Sequence, residues 1–131
     1  MKNFIILTPV YNDWENLNKL LKKINEEAEI NNFAFEVFVI NDASTVNTDI
    51  NFIKTKNIIS LNILNLSKNI GSQRAIALGL EYLFESKKNK KGDIIIIDSD
   101  GQDDPDILKN LINASENSDS DIIVVERTNR N

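Results

Sequence analysis

Runs of aliphatic residues alternate along the chain with stretches whose apolar positions recur every three or four residues. Phe4-Ile5-Ile6-Leu7-Thr8 predicts a strand buried on both faces and stopped by Pro9. A helix follows, with Leu17, Leu20, Leu21, Ile24 and Ala28 on one face and Lys19, Lys22, Lys23, Glu26 and Glu27 opposite. Asn12 with Glu15 three residues on has the form of a capping box at its start. Phe35 to Ile40 predicts a second strand, residues 46–57 a short helix, and Ser60 to Leu66 a less apolar strand nearer an edge. A further helix opens at Asn69-Ile70-Gly71-Ser72 and runs to about Ser86, with Ala75, Leu78, Gly79, Tyr82 and Leu83 inward. Glycine inside a helix costs about 1 kcal/mol against alanine, so Gly79 predicts close packing. Lys87 to Gly92 reads as a solvated turn.

The most apolar run, Ile94-Ile95-Ile96-Ile97, predicts a strand at the centre of a sheet. A helix from Pro105 to about Glu116 and a fifth strand, Asp121 to Glu126, complete the pattern. Alternating strands and helices imply right-handed crossovers, hence an α/β fold with a mostly parallel sheet covered on both faces. Ligands of such sheets bind beyond the carboxyl ends of the strands. Pro9 to Asp13, Asp42 to Thr45, and Asp98 to Gln102 all fall at those ends, and three loops converging on one rim predict a site.

The chain has 131 residues, a formal net charge of −5, and neither cysteine nor histidine. Its length fits one domain. The acidic balance argues against a nucleic-acid or anionic-membrane surface. The missing residue types exclude disulfides, thiol nucleophiles, Ser-His-Asp triads and ordinary zinc sites. The apolar run at the N-terminus is too short for a signal-peptide core and no stretch reaches a membrane span. A cytoplasmic address is expected, with contact to the inner face of a membrane through a partner.

Asp98 and Asp100 emerge two residues apart from the Ile94–Ile97 run, so extended backbone points both carboxylates the same way. Like charges crowded in a partly dry site call for a counter-charge, and hard oxygen ligands suit Mg2+ or Mn2+. A helix start accounts for Asp104, Pro105 and Asp106 but leaves Asp98, Asp100 and Gln102 unexplained. A calcium loop counted from Asp98 needs glycine and glutamate where Asp103 and Lys109 stand. The loop after the first strand has no glycine, which excludes the dinucleotide fingerprint, and a Walker loop is absent. Tyr11 to flank a base, Asp42 to accept from a base N–H or a ribose hydroxyl, and a metal pair for a diphosphate describe a nucleoside-diphosphate site.

TPVYND (8–13), VINDAST (39–45), NIGSQRAIALG (69–79), DSDGQDDP (98–105) and ERTNR (126–130), in this order, resemble the nucleotide-binding half of family-two inverting glycosyltransferases with the Rossmann-like GT-A fold. The polyprenyl-phosphate glycosyltransferases related to dolichol-phosphate mannose synthase are the most similar group. The resemblance implies that Pro9, Tyr11 and Asp13 line the base and ribose pocket and that Asp42 binds base or ribose. It makes Asp98, Ser99 and Asp100 a D-x-D element, with Asp98, Asp100 and Gln102 holding the metal. Gly71 and Arg74 would lie beside the sugar nucleotide, and Arg127 and Arg130 near the phosphates of donor or acceptor. A UDP- or GDP-linked sugar is the implied donor and a polyprenyl phosphate an implied acceptor, in cell-wall or polysaccharide biosynthesis.

The chain departs from that pattern in three respects. Asp13 stands where the family usually has glutamate, Asn41 replaces the first of two aspartates, and the acceptor-side half with its general base has no counterpart. The expectation is therefore one nucleotide-sugar-binding domain over 1–131. It is a glycosyltransferase of that kind, whole or as its donor-binding portion, or else a non-catalytic domain or truncated fragment completed by a partner. A sugar-phosphate nucleotidyltransferase would want a glycine-rich basic loop after the first strand, and none is present. Sheet or helix surface left uncovered beside the last strand predicts self-association or a partner subunit.

Overall fold

The computed structural model describes residues 2–47, 56–86, 93–97, 113 and 122–124. The elements are β1 (Lys2–Val10), α1 (Trp14–Asn31), β2 (Phe33–Asn41), β3 (Ile58–Asn65), α2 (Ser72–Ser86), β4 (Asp93–Ile96) and β5 (Ile122–Val124). They form one sheet in the order β3-β2-β1-β4-β5, and every neighbouring pair is parallel. The less apolar β3 lies at the end of that order, as its composition predicts.

Alternation along each strand divides the core in two. Phe4, Ile6 and Val10 of β1, Phe35, Val37 and Val39 of β2, and Ile95 and Ile97 at β4 pack with Trp14, Leu17, Leu20, Leu21, Ile24 and Ala28 of α1. Ile5 and Leu7, Phe38 and Ile40, and Ile94 and Ile96 face the other way, against Ala75 and Leu83 of α2. Neighbouring residues of a strand point to opposite faces, so each aliphatic run supplies both layers. Helices on opposite faces follow from the topology. The chain moves from β1 towards β2 through α1 but from β3 back towards β4 through α2, and right-handed crossovers in opposite directions use opposite faces.

The strand order reverses between β1 and β4, the kind of place where open α/β sheets carry a ligand crevice. Pro9 does not stop β1, which continues through it to Val10, with Pro9 opposite Ile40. Successive residues of a parallel strand turn their N–H and C=O to opposite neighbours. Val10 O accepts from Asp42 N (2.9 Å) on the β2 side, and Leu7 O accepts from Ile97 N (3.0 Å) on the β4 side. Pro9 therefore turns its donor-less nitrogen towards β4, and the β2 ladder loses nothing. Described pairing with β4 ends at Leu7 and Ile96, whereas pairing with β2 runs on to Val10 and Asn41.

Other expectations also shift. The isoleucine-rich strand is buried on both faces, but β1 and not β4 is the middle strand. The run records two-sided burial, which an off-centre strand shares once both faces are covered. In α2 the buried stripe is Ala75, Gly79 and Leu83, four residues apart, while Leu78 and Tyr82 are exposed. Gly79 explains the rotation. A Cβ there would lie 2.7 Å from Ile40 Cδ1 and 2.9 Å from Leu7 Cδ1, so the helix approaches the sheet closely at this residue. The expected helices over 46–57 and 105–116 and the turn over 87–92 fall largely or wholly outside the described residues. No helix among the described residues is long and apolar enough to cross a membrane.

Candidate functional site

The carboxyl ends of β1 and β2 carry the loops in which sequence reasoning placed Tyr11, Asp13 and Asp42. Tyr11 leaves β1 with half its surface exposed (49%). Asn12 follows with φ of +62°, a left-handed turn that asparagine tolerates better than most residues. Asp13 then caps α1, its Oδ1 accepting from Asn16 N at 3.4 Å and its Oδ2 from Asn16 Nδ2 at 2.7 Å. The capping box expected from Asn12 and Glu15 is thus one residue out of place. The Asn12 side chain turns across to the loop after β2, where its Oδ1 accepts from Thr45 N (2.7 Å) and Val46 N (3.0 Å).

Asn12 N also donates to Ser44 Oγ (2.9 Å), Asn12 Nδ2 to Thr45 Oγ1 (3.1 Å), and the buried Trp14 indole N–H to Val46 O (3.2 Å). Strand pairing ends at Val10 and Asn41, and side chains carry the connection between the two loops beyond it.

Asp42 is buried, with 3% of its surface exposed. A carboxylate there needs donors, and the segment leading into α2 supplies them. Oδ1 accepts from Ile70 N (2.8 Å), and Oδ2 from Gly71 N (3.0 Å) and Asn69 Nδ2 (3.1 Å). The Asn69 amide also reaches Asp42 O (3.1 Å). Gly71 has φ of +91°, and its carbonyl accepts from Ala75 N (2.9 Å), the first turn of α2. Asp42 thereby sets a negative charge close to the positive end of α2. Arg74 is exposed in that first turn.

Asn41, where the resembling family has aspartate, uses both halves of its amide. Nδ2 donates to Asn65 Oδ1 (2.8 Å) at the end of β3, and Oδ1 accepts from Ser44 N (3.1 Å). An ionised aspartate has no donor for Asn65. Residues 41–46 are accordingly tied to the ends of β1, β3 and α2 together.

The rim therefore gathers Pro9, Tyr11, Asp13, Asp42 and Gly71, with Arg74 one helical turn further on. Asp98, Ser99, Asp100, Gln102, Arg127 and Arg130 lie outside the described residues. Ile97, the residue before Asp98, is buried and hydrogen-bonded to β1 at the reversal of strand order. Among the described residues no cluster of three or more aspartate, glutamate, histidine or cysteine residues is disposed to hold a metal. Sequence reasoning missed the ties through Asn12, Asn41 and Asn69. Their signal was an asparagine in each loop at the rim, a residue type favoured where a side chain replaces backbone pairing.

The sequence profile of glycosyl transferase family 2 matches residues 5–131. The chain belongs to this family. Among curated relatives, a glycosyltransferase of Synechocystis sp. described as uncharacterized is 29% identical over 82% of this chain and 32% of its own length. The undecaprenyl-phosphate 4-deoxy-4-formamido-L-arabinose transferases of Salmonella choleraesuis and Salmonella paratyphi B are each 27% identical over 99% of this chain and 38% of theirs. The chain thus spans about a third of the length of these relatives (32–38%). The parallel α/β sheet agrees with the GT-A expectation, and family 2 enzymes commonly use divalent metals.

Proposed function

We propose that residues 1–131 form the donor-binding part of a glycosyltransferase that takes a sugar from a UDP- or GDP-linked donor and passes it, with inversion, to an acceptor such as a polyprenyl phosphate. The observation that carries this reading is the reversal of strand order between β1 and β4, with Tyr11 and Asp42 at the rim and D-x-D next in sequence after Ile97.

Tyr11 flanks the base. Asp42 spends three acceptor positions on Asn69, Ile70 and Gly71, and a carboxylate has about four, so one remains for a base N–H or ribose hydroxyl. Pro9, Asp13, Gly71 and Ser99 line the remainder, and Arg74 offers a cation to the phosphates. Asp98, Asp100 and Gln102 would hold Mg2+ or Mn2+, a fit that rests on their hard oxygen donors. Held by these residues, a divalent cation would neutralise charge on the leaving diphosphate. The acceptor oxygen bonds to the anomeric carbon as the nucleoside diphosphate leaves with the electrons of the broken bond. A phosphate acceptor is already anionic and needs no base, and Arg127 and Arg130 would hold it.

Calorimetric titration of UDP and GDP, with and without Mn2+, on the native chain and Asp100→Ala tests this. Metal-dependent binding that Asp100→Ala loses is expected. A folded native chain that binds neither nucleotide would refute the reading. A second reading is a non-catalytic nucleotide-sugar-binding domain completed by a partner. Nucleotide binding without sugar transfer to polyprenyl phosphate, in a chain that elutes as an oligomer or gains activity with a partner, would favour it.

A further inference from the structure

We propose that Asn12 is a positioning residue for the nucleotide site, acting through the separation it fixes between the loops that carry Tyr11 and Asp42. The inference rests on the nucleotide-binding reading above. β1 and β2 pair only as far as Val10 and Asn41, and Asp42 N still reaches Val10 O at 2.9 Å. Beyond that point no backbone ladder holds Tyr11 and Asp13 against residues 43–46. Asn12 supplies the connection with both halves of its amide and its own N–H, to Ser44 Oγ, Thr45 N, Thr45 Oγ1 and Val46 N, at 2.7 to 3.1 Å.

The choice of residue is informative. The position takes a positive φ and needs an acceptor for two N–H groups, and its amide also donates to a hydroxyl. Asparagine meets all of this, aspartate all but the donation, and glycine only the first. Asn12 also stands directly between Tyr11 and Asp13, so its backbone turn sets where both begin. A loop pair held in the binding arrangement before ligand arrives avoids the ordering cost on binding. Loops that adopt that arrangement about a tenth of the time would bind about tenfold more weakly.

Trp14 is the one tryptophan of the chain, and its N–H on Val46 O makes its emission a reporter of the same connection. The test compares native, Asn12→Gly and Asn12→Asp chains for UDP and GDP affinity with Mn2+, far-ultraviolet circular dichroism and Trp14 emission. Asn12→Gly permits the turn and removes the side-chain bonds. Its expected behaviour is native circular dichroism, altered Trp14 emission that saturating nucleotide restores, and a Kd raised about tenfold. Asn12→Asp keeps the acceptor for Thr45 N and Val46 N, and Thr45 Oγ1 can donate to it, so affinity within about threefold of native is expected.

A folded Asn12→Gly chain that binds within about twofold of native would overturn the proposal and leave the nucleotide reading standing. A native chain that binds no nucleotide would overturn both. Should Asn12→Gly fail to fold, the double variant Ser44→Ala with Thr45→Val removes the hydroxyl partners and leaves the backbone bonds. It is then expected to weaken binding at least about threefold, and unchanged affinity would overturn the proposal.

Discussion

Asp42 Oδ1 accepts from the backbone N–H of Ile70, 28 residues further on, at 2.8 Å. The bond ties the end of β2 to the start of α2, and Gly71 N and the Asn69 amide reinforce it on Oδ2. Asp42→Asn would turn an NH2 towards one of these donors whichever way the amide is set. Hydrogen bonds to charged groups contribute about 1.5–3 kcal/mol each, so a loss of about 2 kcal/mol is expected from urea unfolding. Binding should weaken as well, since the start of α2 loses its anchor. A variant with an unchanged urea midpoint would show that the carboxylate does not hold this segment.

Gly79 sits where α2 touches the sheet. Alanine gains about 1 kcal/mol of helix propensity but must displace Ile40 and Leu7, both buried, and overpacking costs about 1–3 kcal/mol. We expect Gly79→Ala to be destabilising by about 1 kcal/mol and Gly79→Val to be worse, because branching adds volume where a Cβ alone already lies within 3.0 Å. Thermal unfolding of both variants checks the order. Stabilisation by alanine would mean that the core yields at this point.

Most of the fold was legible because burial writes itself into periodicity. Leu17, Leu20, Leu21, Ile24 and Ala28 are the buried face of α1 as their spacing predicts. Periodicity failed in part in α2, where Leu78 and Tyr82 are exposed, because the helix comes closest to the sheet at Gly79 and so turns Ala75, Gly79 and Leu83 inward. It failed at Pro9 too, because a proline is excluded from a central strand only if its nitrogen faces a rung. At the rim, residue types pointed to Tyr11 and Asp42. An asparagine stands in each loop at the rim, but its partner could not be read, since hydrogen bonds between residues more than 20 apart leave no local pattern.

Asn57 provides a control remote from the rim. It is buried, and its Nδ2 donates to Phe33 O (2.8 Å) and Ala28 O (3.3 Å), joining the end of α1 to the starts of β2 and β3. Ala28 O retains the Asn32 N–H, but Phe33 O loses this donor in Asn57→Ala. A buried polar group deprived of a partner costs about 1–3 kcal/mol, and a loss of that size in urea unfolding is expected. This edge of the sheet is opposite the carboxyl ends, so nucleotide affinity of the folded variant should match native. A matching loss of affinity would indicate that the rim responds to general loosening, and the Asn12 comparison would then be read against that baseline.

Gly71 separates backbone strain from lost contacts. Nothing lies within 4 Å of a Cβ built there, so Gly71→Ala meets no clash. Its φ of +91° is the difficulty, and a left-handed conformation costs an L-residue about 1–2 kcal/mol. That conformation directs Gly71 N to Asp42 Oδ2 and Gly71 O to Ala75 N, so relaxing it breaks one bond or the other. Gly71→Ala is therefore expected to lower stability by about 1–2 kcal/mol, with Gly71→Asn losing less because asparagine tolerates positive φ. Urea unfolding of the two variants checks this, and equal losses would show that the positive φ is not what requires the glycine.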